Sequence, residues 1–181
     1  MLRFLLATLL LFAAPTALAQ TPNPQIDYAG FQALTGEVST YRASRLLSWS
    51  EFASVAGQPD TLILDARSAD AYDAGHIRGA VNLPFTDFTA DSLARVIGHR
   101  DRPILIYCNN NFSNNQAPVM KKAVELALNI QTFINLVGYG YPNVHELGEV
   151  IDFNNPKIGW VKDARLVIAQ PRLEPTQANR E

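Results

Sequence analysis

An α/β fold with a mostly parallel central sheet flanked by helices is predicted by three observations. Two compact apolar runs, Thr61-Leu62-Ile63-Leu64-Asp65 and Ile104-Leu105-Ile106-Tyr107, are bounded by turn residues, as strands covered on both faces are. Ser48-Trp49-Ser50-Glu51 has the Ser-x-x-Glu spacing of a capping box and announces a short helix ahead of the first of these runs. Helical and strand patterns then alternate along the chain, which puts a parallel sheet between helical layers and ligand sites beyond the carboxyl ends of its strands.

The elements follow in chain order. Arg3 supplies one positive charge, Phe4 to Ala14 is almost unbroken apolar sequence, and Ala17-Leu18-Ala19 is a small-x-small cleavage pattern, so residues 1–19 read as a cleaved signal peptide. That predicts a periplasmic or secreted protein with no membrane attachment once the signal is removed. Residues 20–40 contain Pro22, Pro24, Gly30 and Gly36 and read as an amino-terminal arm without a regular period. A short helix is expected after Ser48, ending at Gly57, followed by the first strand over Thr61 to Asp65. The second strand is Ile104 to Tyr107. Val119, Ala123, Val124, Leu126 and Ala127 are spaced as on a helix over Pro118 to about Asn129, with Pro118 acceptable in its first turn. Thr132 to Leu136 is the next expected strand, Gly138 to Tyr141 a turn, and Pro142 to Val150 one more short helix. Beyond Ile151 the chain reads as irregular, apart from Leu166-Val167-Ile168.

Removing the signal leaves about 160 residues, the size of one domain with a real core. The chain has 15 Lys and Arg against 17 Asp and Glu, a formal charge of −2, and no basic cluster, so no nucleic-acid partner is expected. With one cysteine, Cys108, no internal disulfide can form in the oxidising compartment that the signal implies. With no His-x-x-x-His pair beside that lone cysteine, no metal site and no cofactor are expected.

Two separated segments carry the chemistry. Leu64-Asp65-Ala66-Arg67, then Tyr72, Gly75-His76-Ile77-Arg78-Gly79-Ala80 and Asn82-Leu83-Pro84, resemble the Asp-x-Arg and Gly-His-Ile-x-Gly-Ala pattern of the rhodanese family. The second segment is Ile104 to Tyr107 running into Cys108 and a polar loop, where that family keeps its active-site cysteine. The Gly138-Tyr139-Gly140-Tyr141 turn is loosely similar to a late glycine turn of the family. The resemblance implies a rhodanese-like three-layer sandwich over residues 41–155, with a carboxy-terminal tail at 156–181. It also implies sulfurtransferase or persulfide-carrier chemistry, with sulfane sulfur passing from a small donor through Cys108 to a thiol or cyanide acceptor.

The residues support that chemistry independently. A thiol between a strand end and a helix amino terminus faces unpaired amides, which favour thiolate, so a depressed pKa is expected for Cys108. The competing reading is a buried, inert thiol; its position at the start of a polar loop favours the nucleophile. Asn109, Asn110, Asn111, Phe112, Ser113 and Asn114 form the candidate substrate-binding loop, and they depart from the family, which commonly has Gly and Arg there. With no Lys or Arg before Lys121, thiosulfate is expected to be a poor donor, and Phe112→Arg is expected to improve it. A loop without a catalytic task is the alternative, and it would make the protein a catalytically weak rhodanese-fold binding module with a protein partner. Asp65 and Arg67 are expected to fix a turn as an ion pair, His76 to tie a loop to the backbone, and His99 and His145 to be exposed. A Cys-based phosphatase lacks its loop Arg here, and a thiol:disulfide oxidoreductase lacks a resolving Cys.

Overall fold

The computed structural model describes residues 23–162. A five-stranded, wholly parallel sheet forms its centre, built from β1 (Leu46–Leu47), β2 (Leu62–Asp65), β4 (Ala80–Asn82), β5 (Ile104–Tyr107) and β6 (Val144–Leu147) in the order β1-β6-β5-β2-β4. A separate antiparallel pair joins β3 (His76–Ile77) to β7 (Trp160–Val161). The expected parallel α/β architecture is therefore present, with the residues after Ile151 contributing β7 rather than remaining irregular. The expected signal at 1–19 and the Leu166-Val167-Ile168 patch lie outside the described residues.

Alternation along the interior strands creates two cores. Leu62, Leu64, Ile104 and Ile106 face one layer, where α1 (Tyr28–Arg42), α4 (Ala90–Ile97) and α5 (Leu128–Gly138) deliver Val38, Leu93, Ile97, Phe133, Ile134 and Leu136. Ile63, Leu105 and Tyr107 face the other layer, against Phe52 of α2 (Trp49–Ala56), Phe112, Val119 and Ile158. The capping box of α2 forms as its spacing predicts: Glu51 N donates to Ser48 Oγ at 3.3 Å and Ser48 N donates to the Glu51 carboxylate at 2.8 Å. Gly57 closes that helix.

Four further sequence expectations require correction. The supposed arm, residues 20–40, is helical from Tyr28 onward as part of α1: Asp27 caps the helix by accepting from Gly30 N at 2.8 Å, and Leu34, Val38 and Tyr41 form an i, i+4, i+7 stripe on the core. That burial outweighs the cost of Gly30 and Gly36, about 1 kcal/mol each relative to Ala. Pro118 to Asn129 is not a helix. The Asn109 side chain donates to Met120 O, while Asn110 donates to Lys122 O and accepts from Lys122 N, taking backbone groups that a helix would need. Only a short 3₁₀ turn, Val124–Leu126, forms there before α5 begins at Leu128.

Thr132 to Leu136 lies inside α5 rather than a strand, because Ile130, Phe133, Ile134 and Val137 follow the helical i, i+3, i+4, i+7 spacing and pack on the sheet. Pro142 to Val150 contains β6 rather than a helix; Val144 and Leu147 belong to opposite cores, as an interior strand requires. The Gly138–Tyr141 turn forms at the carboxyl end of α5, with Gly140 at a φ of 87° that a side chain would disfavour.

Candidate active site

Cys108 continues β5 past its carboxyl end and follows the parity of Ile104 and Ile106, which sends its thiol toward α5. The next three residues, Asn109–Asn111, make a single 3₁₀ turn. Asn110 N donates to Cys108 Sγ at 3.4 Å, and the amides of Leu128 and Asn129 at the start of α5 also act on the sulfur. The thiol therefore sits between a strand end and a helix amino terminus as expected, but the helix is α5 rather than one beginning at Pro118.

Its exposure is another matter. Cys108 is 1% exposed, and burial pushes its thiol above the ordinary value; the Asn110 and Asn129 amides pull it down, the Glu146 carboxylate pushes it up, and the Leu128 amide pulls it down. The net direction is upward, which corrects the expectation of a depressed pKa: desolvation of the thiolate outweighs the converging amides. Because the folded thiol holds its proton more tightly than the unfolded one, the stabilisation is complete below the unfolded value of about 8.5 and is lost as pH rises through the folded value. Alkylation of the native protein is expected to keep accelerating above about pH 8.5, and a midpoint at or below that value would remove burial as the dominant influence.

The loop is a framework more than an open cradle. Asn111 Oδ1 accepts from Cys108 N at 2.9 Å, and its Nδ2 donates to Leu147 O at 2.6 Å. Asn109 and Asn110 hold the 120–122 segment, and Asn114 donates to Asp152 at 2.7 Å while accepting from Phe153 N. Ser113 N donates to Ile151 O at 2.9 Å. Phe112 is fully buried, edge-on to Trp160 at 5.0 Å and to Tyr107 at 6.0 Å, so it is a core residue and not a position from which a substituted cation could reach substrate. That corrects its place in a substrate-binding loop.

The supporting residues stand on the other side of the sheet. Arg67 Nε donates to both Asp65 oxygens, at 2.9 and 3.1 Å, and Nη2 to Gly75 O at 2.8 Å. Tyr107 Oη donates to Asp65 Oδ2 at 2.6 Å and accepts from Ile77 N at 3.1 Å, joining β2, β3 and β5. Burial, with the Asp65 carboxylate adding to it, holds the Tyr107 hydroxyl protonated well above its ordinary range. His76 stacks on Tyr72 and donates from Nδ1 to Tyr72 O at 2.9 Å. His99 is exposed beside Asp60, but His145 is half-buried in β6, accepting from Arg45 at 3.1 Å; burial first and the Arg45 charge second push its pKa down.

Three further residues complete the surroundings of Cys108. Asn129 Nδ2 donates to Asn111 Oδ1 at 2.9 Å and to Glu146 Oε1 at 3.0 Å, and Glu146 receives two bonds from Arg42, at 2.6 and 2.7 Å. A chain of contacts thus runs from α1 through β6 and α5 to the Cys108 backbone. Nothing local in the sequence marks Glu146, which stands in Val144-His145-Glu146-Leu147, or Arg42 or Asn129. Among the described residues no group of three or more His, Cys, Asp or Glu could hold a metal, and no helix is long and apolar enough to cross a membrane.

Comparison with known proteins gives one family match: a model described as a rhodanese-like domain covers residues 48–148. The uncharacterized protein YibN of Escherichia coli strain K12 is 25% identical over 76 residues, 42% of this chain and 49% of that protein. The HTH-type transcriptional regulator Rv0324 of Mycobacterium tuberculosis is 40% identical over 53 residues, 29% of this chain and 22% of that protein. The chain spans half or less of the length of these curated relatives. Among solved structures, the BH2092 protein of Bacillus halodurans aligns over 73% of this chain and 87% of its own, with 18% identity and a TM-score of 0.46. The Alr3790 protein of Anabaena aligns over 67% and 86%, with 23% identity and a TM-score of 0.46.

Proposed function

The chain belongs to the rhodanese-like domain family, and we propose that it is a sulfurtransferase-type protein that carries sulfane sulfur as a persulfide on Cys108. The observation that carries this reading is the convergence of the Asn110, Leu128 and Asn129 amides on Sγ at the carboxyl end of an interior parallel strand. Those amides stabilise a sulfur anion at a buried position, and a persulfide anion would benefit from the same donors. The Cys108 thiolate attacks the outer sulfur of a donor persulfide; the donor S–S bond breaks, a new S–S bond forms on Cys108, and the donor leaves as a thiol with the proton that Cys108 gave up. A thiol or cyanide acceptor then removes that sulfur and regenerates the thiol.

With Cys108 1% exposed, the transfer requires a local opening that admits the donor to Sγ. The compartment proposed is periplasmic or extracellular, on the sequence of residues 1–19 alone. The same burial, together with Asn side chains already committed to the backbone, favours a second reading, a weakly active member that uses this face to recognise a protein partner.

Mass spectrometry after incubation with glutathione persulfide, mercaptopyruvate or thiosulfate separates the two. A gain of one sulfur is expected with the persulfide, little with thiosulfate, and none in Cys108→Ser. An unmodified Cys108 with every donor would overturn the carrier reading in favour of the binding module.

A further inference from the structure

A cleft of about 570 Å³, in the range of small-ligand sites, opens beside Cys108 between the sheet edge and the 121–129 segment. Asn110 and Asn129, two of the residues whose amides act on Sγ, line it, so a single layer of residues separates the cleft from the buried thiol. Its remaining polar lining is of both signs. Lys121 and Glu149 are exposed there and neither makes an ion pair among the described residues, whereas Arg42 and Glu146 are spent on each other.

One buried atom points to a missing partner. Asn129 is 4% exposed, and its Nδ2 is fixed by two acceptors, Asn111 Oδ1 and Glu146 Oε1, so turning the amide over would set its oxygen against two oxygens. Its Oδ1 is therefore held in place as an acceptor, and it has no donor among the described residues. A buried amide oxygen left unpaired costs free energy that a ligand N–H would recover.

We infer that this cleft takes an α-amino acid bearing the sulfur, its carboxylate against Lys121 and its ammonium group toward Glu149 and Asn129 Oδ1, with cysteine persulfide as the donor class. The inference rests on the carrier reading of Cys108. It follows from the mixed charge that neither a dianion nor a simple cation satisfies the cleft, while a zwitterion pairs both free charges. The transfer balances without an added oxidant: the Cys108 thiolate takes the outer sulfur of cysteine persulfide, the donor S–S bond breaks as the Cys108 S–S bond forms, and free cysteine departs with the proton.

Calorimetric titration of the protein with S-methylcysteine, which cannot transfer sulfur, tests the ligand separately from the chemistry. Binding is expected, and analogues lacking either the carboxylate or the amine should bind about tenfold more weakly or worse, the loss of one charge-assisted hydrogen bond. Lys121→Met should weaken S-methylcysteine binding while leaving the decarboxylated analogue unaffected; Glu149→Gln, which keeps an acceptor for Trp49 N, should weaken it while leaving the deaminated analogue unaffected. No heat with S-methylcysteine, or equal affinity for all three compounds, would overturn the inference. Sulfur loading from glutathione persulfide in that case leaves the carrier reading standing. Binding of S-methylcysteine without sulfur transfer from any persulfide would instead remove the carrier reading and leave an amino-acid site.

Discussion

Phe112→Arg is expected to unfold or severely destabilise the protein rather than to create a thiosulfate enzyme. Phe112 is wholly inside the core formed with Tyr107, Val119, Ile151 and Trp160. Removing a buried Phe side chain costs about 3–5 kcal/mol, and a guanidinium in the same space adds a charge with no partner. Against a domain stability of about 5–15 kcal/mol, that is most of the margin. Urea unfolding of Phe112→Ala and Phe112→Arg should show the midpoint falling in that order, and a wild-type midpoint for the Arg variant would show that the ring is not core. The residue occupies the fifth position of the loop counted from Cys108, but the Phe112 to Ile151 bridge turns it under the sheet.

The second large effect is expected at Arg67. Its guanidinium and the Asp65 carboxylate are almost completely shielded from water, and Asp65 also accepts from Tyr107. Arg67→Met leaves a buried carboxylate without its cation, a change that costs about 3–5 kcal/mol, whereas an exposed pair would lose about 1 kcal/mol or less. The double variant Asp65→Leu/Arg67→Met should recover much of the loss, since two apolar side chains carry no unpaired charge. Unfolding free energies of the two variants decide it: a loss near the exposed-pair figure for Arg67→Met would mean that the pair does not hold the β2, β3 and β5 ends together.

Local signals were legible where local physics decides structure. The β2 and β5 runs, the Ser48–Glu51 box and the polar start at Cys108 all depend on neighbours within a few residues. The α1 stripe was hidden by two glycines whose cost is small beside the burial of Val38. Thr132 to Leu136 reads as a strand in a five-residue window, and its helical period emerges only when Ile130 and Val137 are included. Around the thiol, Cys108 and its asparagines announce chemistry, but the sign of the pKa shift depends on its near-complete burial and on Glu146, which no spacing rule foretells. Asn109 and Asn110 illustrate the limit: their composition marks a turn, while their partners at 120–122 determine what the turn is for.

The docking of α1 has a consequence in time. Tyr41 bonds to a carbonyl 101 positions later, and Arg42 to a carboxylate 104 positions later, on the strand lying between β1 and β5. A chain emerging amino end first, at roughly 5–20 residues per second, holds that helix without its seat for about 5–20 s. During that interval Leu34, Val38 and Tyr41 are a greasy stripe open to whatever is nearby, so the earliest part of the fold to appear is among the last to be sheltered.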